Sequence, residues 1–241
     1  MSTRQNRRKN NNSVLTGNEI ITPSRTESLL GFKLHESMGF SEHIMDSKES
    51  LIKTLNKRIG ALKNIRKVAS FKAKLNIANG IIMSKILYLL PFYGGCPDYL
   101  LTAIQTKQTE AMRQITGRRW VIPGKKFVSN STLLKECGWL SIKQLSFYTT
   151  VLCVHKTLIN KTPEFLYQQL TSGHRYNTRR TAQHNIERTH VDEARLKFAS
   201  MSYRWRGHVQ HSSIPHNLQD ESDIQVFKSK LKSWVQENVP I

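Results

Sequence analysis

The sequence predicts a mainly α-helical protein, with a short β-hairpin near its N-terminal end, a three-helix bundle, and a helical C-terminal extension. Three observations predict it. From about residue 43 onward, apolar residues recur at intervals of three and four, which lines them along one side of successive helices. β-leaning runs are confined to residues 17–35. Serine, proline and glycine fall where those helices have to start and stop. The chain has 241 residues, 38% of them hydrophobic and spread along its length, enough for a folded core with polar connections.

Residues 1–16 carry Arg4, Arg7, Arg8 and Lys9 among Asn, Gln and Ser, and read as a basic disordered arm. In residues 17–42, Glu19-Ile20-Ile21 and Leu29-Leu30-Gly31-Phe32-Lys33-Leu34 flank Pro23-Ser24-Arg25, a turn-like spacer. Two such strands alone are barely stable, so the hairpin needs something to pack on. Residues 43–120 read as the bundle. Its first helix carries Leu51, Leu55, Ile59, Leu62 and Ile65; the second runs from about Phe71 through Leu75, Ala78, Ile82 and Ile86 to Leu89, ending near Pro91 and Gly94-Gly95. The third starts at about Asp98, an N-cap, and runs through Leu101, Ile104 and Ile115 to Gly117.

Residues 121–241 form the extension. Pro123-Gly124 marks a loop, followed by a short helix at 132–137. A longer helix is capped by Ser141 and reaches Leu158, with Leu145, Tyr148, Leu152 and His155 on one face. Thr162-Pro163-Glu164 opens another helix with proline at its first position, and 171–192 reads as a polar, basic crossing. A helix at 201–211, a turn at Pro215 and a last helix capped by Ser222, carrying Ile224, Phe227, Leu231 and Trp234, complete the chain.

Charge is the strongest functional signal. Thirty-seven Lys and Arg against 17 Asp and Glu leave a net charge of +20 and a pI of about 10.1. Self-repulsion on that scale calls for a polyanionic partner, with nucleic acid first, an anionic membrane surface second and a merely solvated surface third. The most apolar stretch, Leu75–Gly95, is broken by Asn79, Ser84 and Lys85, short of the ~20 apolar residues of a membrane span. Three widely spaced cysteines, Cys96, Cys137 and Cys153, make no disulfide framework, and Met1–Asn12 lacks the apolar core of a signal peptide. An intracellular setting, cytoplasmic or nuclear, is expected.

The segment from Leu51 to Leu75 holds Lys53, Lys57, Arg58, Lys63, Arg66, Lys67, Lys72 and Lys74 and no acidic residue. Exposed helices ordinarily mix signs, because like charges four apart cost stability. A surface that tracks phosphates explains the imbalance, since each neutralised phosphate releases counterions. Arg118 and Arg119 sit in a second cluster with Arg113, Trp120, Lys125, Lys126 and Phe127; Tyr203-Arg204-Trp205-Arg206 and Tyr176-Asn177-Thr178-Arg179-Arg180 are further mixed patches. Their arginines suit phosphates and their aromatics suit either stacking or a core. The carboxylates Asp46, Asp98, Asp192, Asp220 and Asp223 are scattered, so no two-metal site is predicted. No zinc spacing, nucleophile elbow or phosphate-cradling glycine loop occurs, and neither catalytic residues nor a cofactor are expected.

Several segments in order carry a family resemblance. Ser28-Leu29-Leu30-Gly31-Phe32-Lys33-Leu34 is followed by Phe40-Ser41-Glu42-His43-Ile44, then by Leu55–Leu62 and Ala73–Tyr88 with Ser84-Lys85-Ile86-Leu87-Tyr88. Gly94-Gly95-Cys96, Ile104-Gln105, Ile115-Thr116-Gly117, Gly138-Trp139-Leu140-Ser141-Ile142, His155-Lys156, Tyr176-Asn177-Thr178-Arg179 and Phe227-Lys228-Ser229-Lys230-Leu231 continue it. Over roughly residues 17–237 the chain resembles the region downstream of the palm in reverse transcriptases of non-LTR (LINE-type) retrotransposons. The resemblance implies a palm-edge hairpin, a thumb-like bundle gripping a primer–template of RNA, DNA or their hybrid, and a parent activity of RNA-directed DNA synthesis. The family's catalytic aspartates belong upstream and have no counterpart here, so the segment is expected to be inactive alone. The stretch His208–Ile214 departs from the family's Trp-Asn-x-Leu-Pro form. A hairpin without its palm would also leave an exposed strand edge. Two alternatives stand beside this expectation: part of an active polymerase completed by another chain, and a non-functional relic or interaction module whose charge is incidental.

Overall fold

The computed structural model describes residues 14–16, 19–21, 24–37, 39–118, 128–171 and 202–241. Residues 1–13 of the basic arm, the 119–127 loop and the 172–201 crossing lie outside the described residues. The protein is mainly α, as the periodicity predicts, with its strands at the N-terminal end.

The strands depart from the single predicted hairpin. β1 (Val14–Thr16) pairs antiparallel with β2 (Glu19–Ile21), and β3 (Thr26–Leu29) pairs separately with β4 (Phe32–His35). The arm therefore already contains a strand, and the tight turn falls at Leu30-Gly31, not at Pro23-Ser24-Arg25. Both turn residues have positive φ, 50° and 76°, which suits the right-handed twist of a two-residue hairpin. Glycine adopts this freely, whereas Leu30 does so at a cost. It lies 82% exposed at the tip, its carbonyl accepting a bond from the Tyr88 hydroxyl at 2.7 Å. Phe32 turns inward instead, its ring 4.1 Å from His43 and 5.3 Å from Phe92.

A π-helical turn, Glu42–Asp46, leads into α1 (Leu51–Asn64), where Ser50 caps the Lys53 amide and Leu51, Leu55, Ile59 and Leu62 are buried as their spacing predicts. The second predicted helix is α2 (Phe71–Ala78), a π-turn (Asn79–Met83) and α3 (Ser84–Leu87) in one rod. Its inward residues Lys74, Ala78, Ile82 and Ile86 are four apart, a spacing that drifts by about 40° per step in a regular α-helix. The wider π-turn takes up that drift and keeps the stripe facing inward. The rod stops at Leu87, earlier than expected. Tyr88 is extended and Leu89 left-handed at φ 58°, so that Pro91 falls in the first turn of a new short helix, α4 (Leu90–Tyr93), where its missing N–H costs nothing.

α5 (Asp98–Thr116) begins one residue earlier in role than predicted: Pro97 holds the cap position and Asp98 is the first helical residue. Gly117, at φ 71°, closes it as expected. α6 (Asn130–Cys137) is capped by Ser129, and α7 (Ile142–Asn160) opens with a capping box between Ser141 and Gln144. The α7 face is broader than the predicted one. Ile142, Leu145, Val151 and Val154 are buried, while Tyr148 and Leu152 are half-buried, because α4, α5 and the helices Glu164–Thr171, Tyr203–Ser213 and Ile224–Asn238 pack around it. In α8 (Glu164–Thr171) Pro163 precedes the first helical residue, its carbonyl accepting from Leu166 and Tyr167. α9 (Tyr203–Ser213), α10 (His216–Gln219) and α11 (Ile224–Asn238) complete the described chain. Asp223, not Ser222, caps α11, since its carboxylate accepts from both Gln225 and Val226 amides.

One buried apolar cluster runs from Phe32 through α1, α5 and α7 to Val235. Glutamines tie the bundle to the extension and, within the extension, α7 to the segment after the last helix. Gln108 donates to the Leu140 carbonyl at 2.9 Å, Gln105 accepts from the Ile142 amide at 2.8 Å, and Gln144 donates to the Val239 carbonyl at 2.9 Å. Trp139 reaches back to Asn79 at the start of the π-turn, 2.9 Å away. Glycine allows a close approach of two helices. A Cβ on Gly207 of α9 would lie 2.7 Å from Val154 Cγ2 of α7. Gly207→Ala is therefore expected to cost about 1–3 kcal/mol in denaturant unfolding, and Val154→Ala in the same chain to recover part of it; additive losses would show that the two helices are not in this contact.

Candidate nucleic-acid interface

The predicted cations separate into three groups once the helices are in place. On α1 the buried stripe faces one way, and Lys53 and Lys57, one turn apart, are exposed on the other. Lys63, Lys67 and Lys72 are exposed as well, in the last turn of α1, the connection and the first turn of α2. Lys57, Lys63, Lys67 and Lys72 make no hydrogen bond or ion pair to the described residues, whereas Lys53 Nζ reaches the Ser47 carbonyl at 3.0 Å. Arg58 and Arg66 form the second group: half-buried, they donate across the bundle, Arg58 to the Ile81 carbonyl in the π-turn and Arg66 to Gln114 Oε1 at 3.5 Å. The Arg66 bond brings the C-terminal ends of α1 and α5 together.

Lys74 is the third kind. It is 8% exposed and shares the inward side of α2 with Ala78, so it does not belong to the outer face. It stands four residues before Ala78 and eight before Ile82, a register that the π-turn keeps facing inward. Arg118 forms a two-pronged pair with Glu136, Nε to Oε2 at 3.1 Å and Nη2 to Oε1, which satisfies its fork within the chain. Arg119 lies outside the described residues, as do Trp120, Lys125, Lys126, Phe127 and Tyr176–Arg180. Arg113 is buried and donates to the Val128 carbonyl at 3.4 Å. Arg206 is also internal, 7% exposed, donating Nη2 to the Pro91 carbonyl and to Thr150 Oγ1, and burial pushes its pKa down to about 10. Nothing in the local sequence distinguishes it from the half-buried Arg204 two residues earlier, since its burial follows from α9 packing on α7.

Lys53 lies in the first turn of α1 and Lys72 in the first turn of α2, and neither turn has a carboxylate. The helix dipole favours anions there, so each cation costs roughly 0.3–1 kcal/mol. A phosphate at this surface reverses the sign of that term. On α5 and α6, Glu110 pairs with Lys107 at 2.9 Å and Glu136 with Arg118. Among the described residues no three His, Cys, Asp or Glu side chains converge as a metal site would require, and no described helix is long and apolar enough to cross a membrane. Burial pushes the Cys96 and Cys137 thiols up to about 12 and about 11, so they remain protonated at neutral pH.

Histidines add no charge to this surface at neutral pH where they are internal. His43 is held down to about 4, chiefly by burial and then by the Lys85 and Lys33 charges, with Nδ1 accepting from the Lys33 amide at 3.5 Å. His155 is lowered by burial as well, stacked on Phe227 with ring centroids 3.5 Å apart. Comparison of the chain with protein-family models, curated proteins and solved structures returns no match.

A pH dependence follows from His43. The unfolded side chain takes up a proton near 6.5 and the folded one only near 4, so the unfolded state holds more protons between those values. Stability is complete above pH 6.5 and is lost as pH falls towards 4, by on the order of 3 kcal/mol from this group. Thermal unfolding followed between pH 7 and 5 is expected to flatten in His43→Phe, which keeps the ring packing; an unchanged slope would assign the dependence to other groups.

Proposed function

We propose that the chain binds nucleic acid through its phosphate backbone, as a post-palm, thumb-like segment of a non-LTR reverse transcriptase that does no chemistry alone. The binding face is the outer side of α1, the α1–α2 connection and the start of α2, with Lys53, Lys57, Lys63, Lys67 and Lys72 as its cations. One observation carries this reading: the sequence sets positive charge in the first turns of two successive helices, against the dipole, with no acidic residue from Leu51 to Leu75. The family part of the reading is supported by the ordered motifs from Ser28 to Leu231. RNA, DNA and a hybrid all offer the required phosphates.

A second reading has a specific observation behind it. Arg58, Arg66 and Arg118 each bond within the chain, as the cations of a helical interaction module with incidental charge would. Anisotropy titration of a labelled primer–template hybrid over a series of salt concentrations separates the two. Steep loss of affinity with salt is expected, and neutralising Lys53, Lys57, Lys63 and Lys67 to glutamine should lower the log–log slope by about three to four. Binding that ignores salt, in folded protein, would favour the interaction module.

A further inference from the structure

The most basic stretch of the chain also turns apolar side chains outward. Val68 is 90% exposed and Phe71 is 44% exposed, within four positions of each other at the α1–α2 connection. Isolated exposed apolar residues are ordinary on protein surfaces. Here, however, the same connection has its own anchors, because Ile65 and Leu75 pack against the core and Val68 and Phe71 do not. The exposed ring and valine are therefore not needed to dock the two helices. They lie between Lys67 and Lys72, both exposed, with Lys63 one turn earlier.

Phe71 is the first residue of α2, directly after the Ser70 cap, whose hydroxyl accepts from the Ala73 amide at 3.3 Å. A ring on a capped helix start is held by rigid backbone, so little freedom is lost when something packs on it. An aromatic face flanked by cations fits one class of partner well: an unpaired nucleobase stacks on the ring while its phosphates meet the lysines. In a duplex the base faces are already stacked on each other and cannot offer this contact. Phenylalanine also has no hydrogen-bonding group, so the contact tolerates any base.

Resting on the backbone-binding reading above, we infer that Phe71, with Val68 beside it, is a stacking platform for an unpaired base, which adds affinity for single-stranded nucleic acid that a duplex does not gain. The strand's phosphates run over Lys63, Lys67 and Lys72. The contribution is a stacking one and leaves the electrostatic part of binding unchanged.

The test titrates an oligothymidylate and a duplex of matched length against the full chain, its Phe71→Ala variant and its Phe71→Trp variant, with thermal unfolding confirming that each folds. Phe71→Ala is expected to lose roughly 5- to 150-fold in single-strand affinity, with the salt slope and the duplex affinity unchanged. Phe71→Trp should retain single-strand binding, and an oligonucleotide carrying 5-iodouracil should photocrosslink to position 71. Salt-sensitive binding that Phe71→Ala leaves intact would overturn the stacking platform while the backbone reading stands. Absence of salt-sensitive binding to either probe would overturn the backbone reading and the platform with it.

Discussion

The described residues that follow α6 are tied to the bundle by amide pairing across the junction of α5 and α7. Gln108 has no exposed surface, and a glutamine in that position must satisfy a donor and an acceptor or lose more than its burial gains. It does so by donating to the Leu140 carbonyl and accepting from Gln105 Nε2, while Gln105 Oε1 accepts from Ile142 at the start of α7. Gln144 repeats the arrangement towards Val239 at the far end of α11. Apolar contacts would tolerate small slips of these helices against one another. Directional bonds to backbone groups do not, so the start of α7 is registered on α5, and the end of α11 on the start of α7.

The surface chemistry inherits this rigidity. α1 and the α2–α3 rod commit their apolar stripes to the interior, and the half-buried Arg58 and Arg66 bond across the bundle, which leaves Lys53, Lys57, Lys63, Lys67 and Lys72 on the outer face. That division has a physical logic. Arginine's fork bonds two or more oxygens at fixed angles and suits carbonyls inside the fold, whereas lysine's point charge on a flexible stem suits a phosphate whose position varies. The positive face is thus built from the residues best able to follow an irregular backbone.

Much of this architecture is legible in the sequence, and the failures have identifiable causes. Leu51, Leu55, Ile59 and Leu62 repeat often enough that one helix face is the only arrangement that buries them. Ser141 and Gln144 announce their helix because both halves of the capping box are local. Pro23-Ser24-Arg25 misleads because a proline-containing spacer is the stronger turn signal, while a leucine at positive φ has none. Asp223 outcompetes Ser222 as a cap by a single position, and the break at Tyr88–Leu89 is set upstream of the proline that causes it. On the basic face, the exposure of Lys53, Lys57, Lys63 and Lys72 follows from helical phase. The fates of Arg58, Arg66 and Arg118 depend on which carbonyl, amide or carboxylate a neighbouring helix presents, and a linear pattern does not contain that information.

The π-turn at Asn79–Met83 has a consequence for how this molecule can change over time. Such a turn is what an α-helix contains after accepting one residue more than its regular winding holds. The segments on either side of it, Phe71–Ala78 and Ser84–Leu87, therefore keep separate rotational phases. The first presents the basic end of the rod and the second supports the hairpin through Tyr88. Loss of one residue between them would swing one end about 100° relative to the other without unwinding either. The rod thus works as a joint between two modules, each free to accumulate substitutions on its own side while the inserted residue keeps them in step.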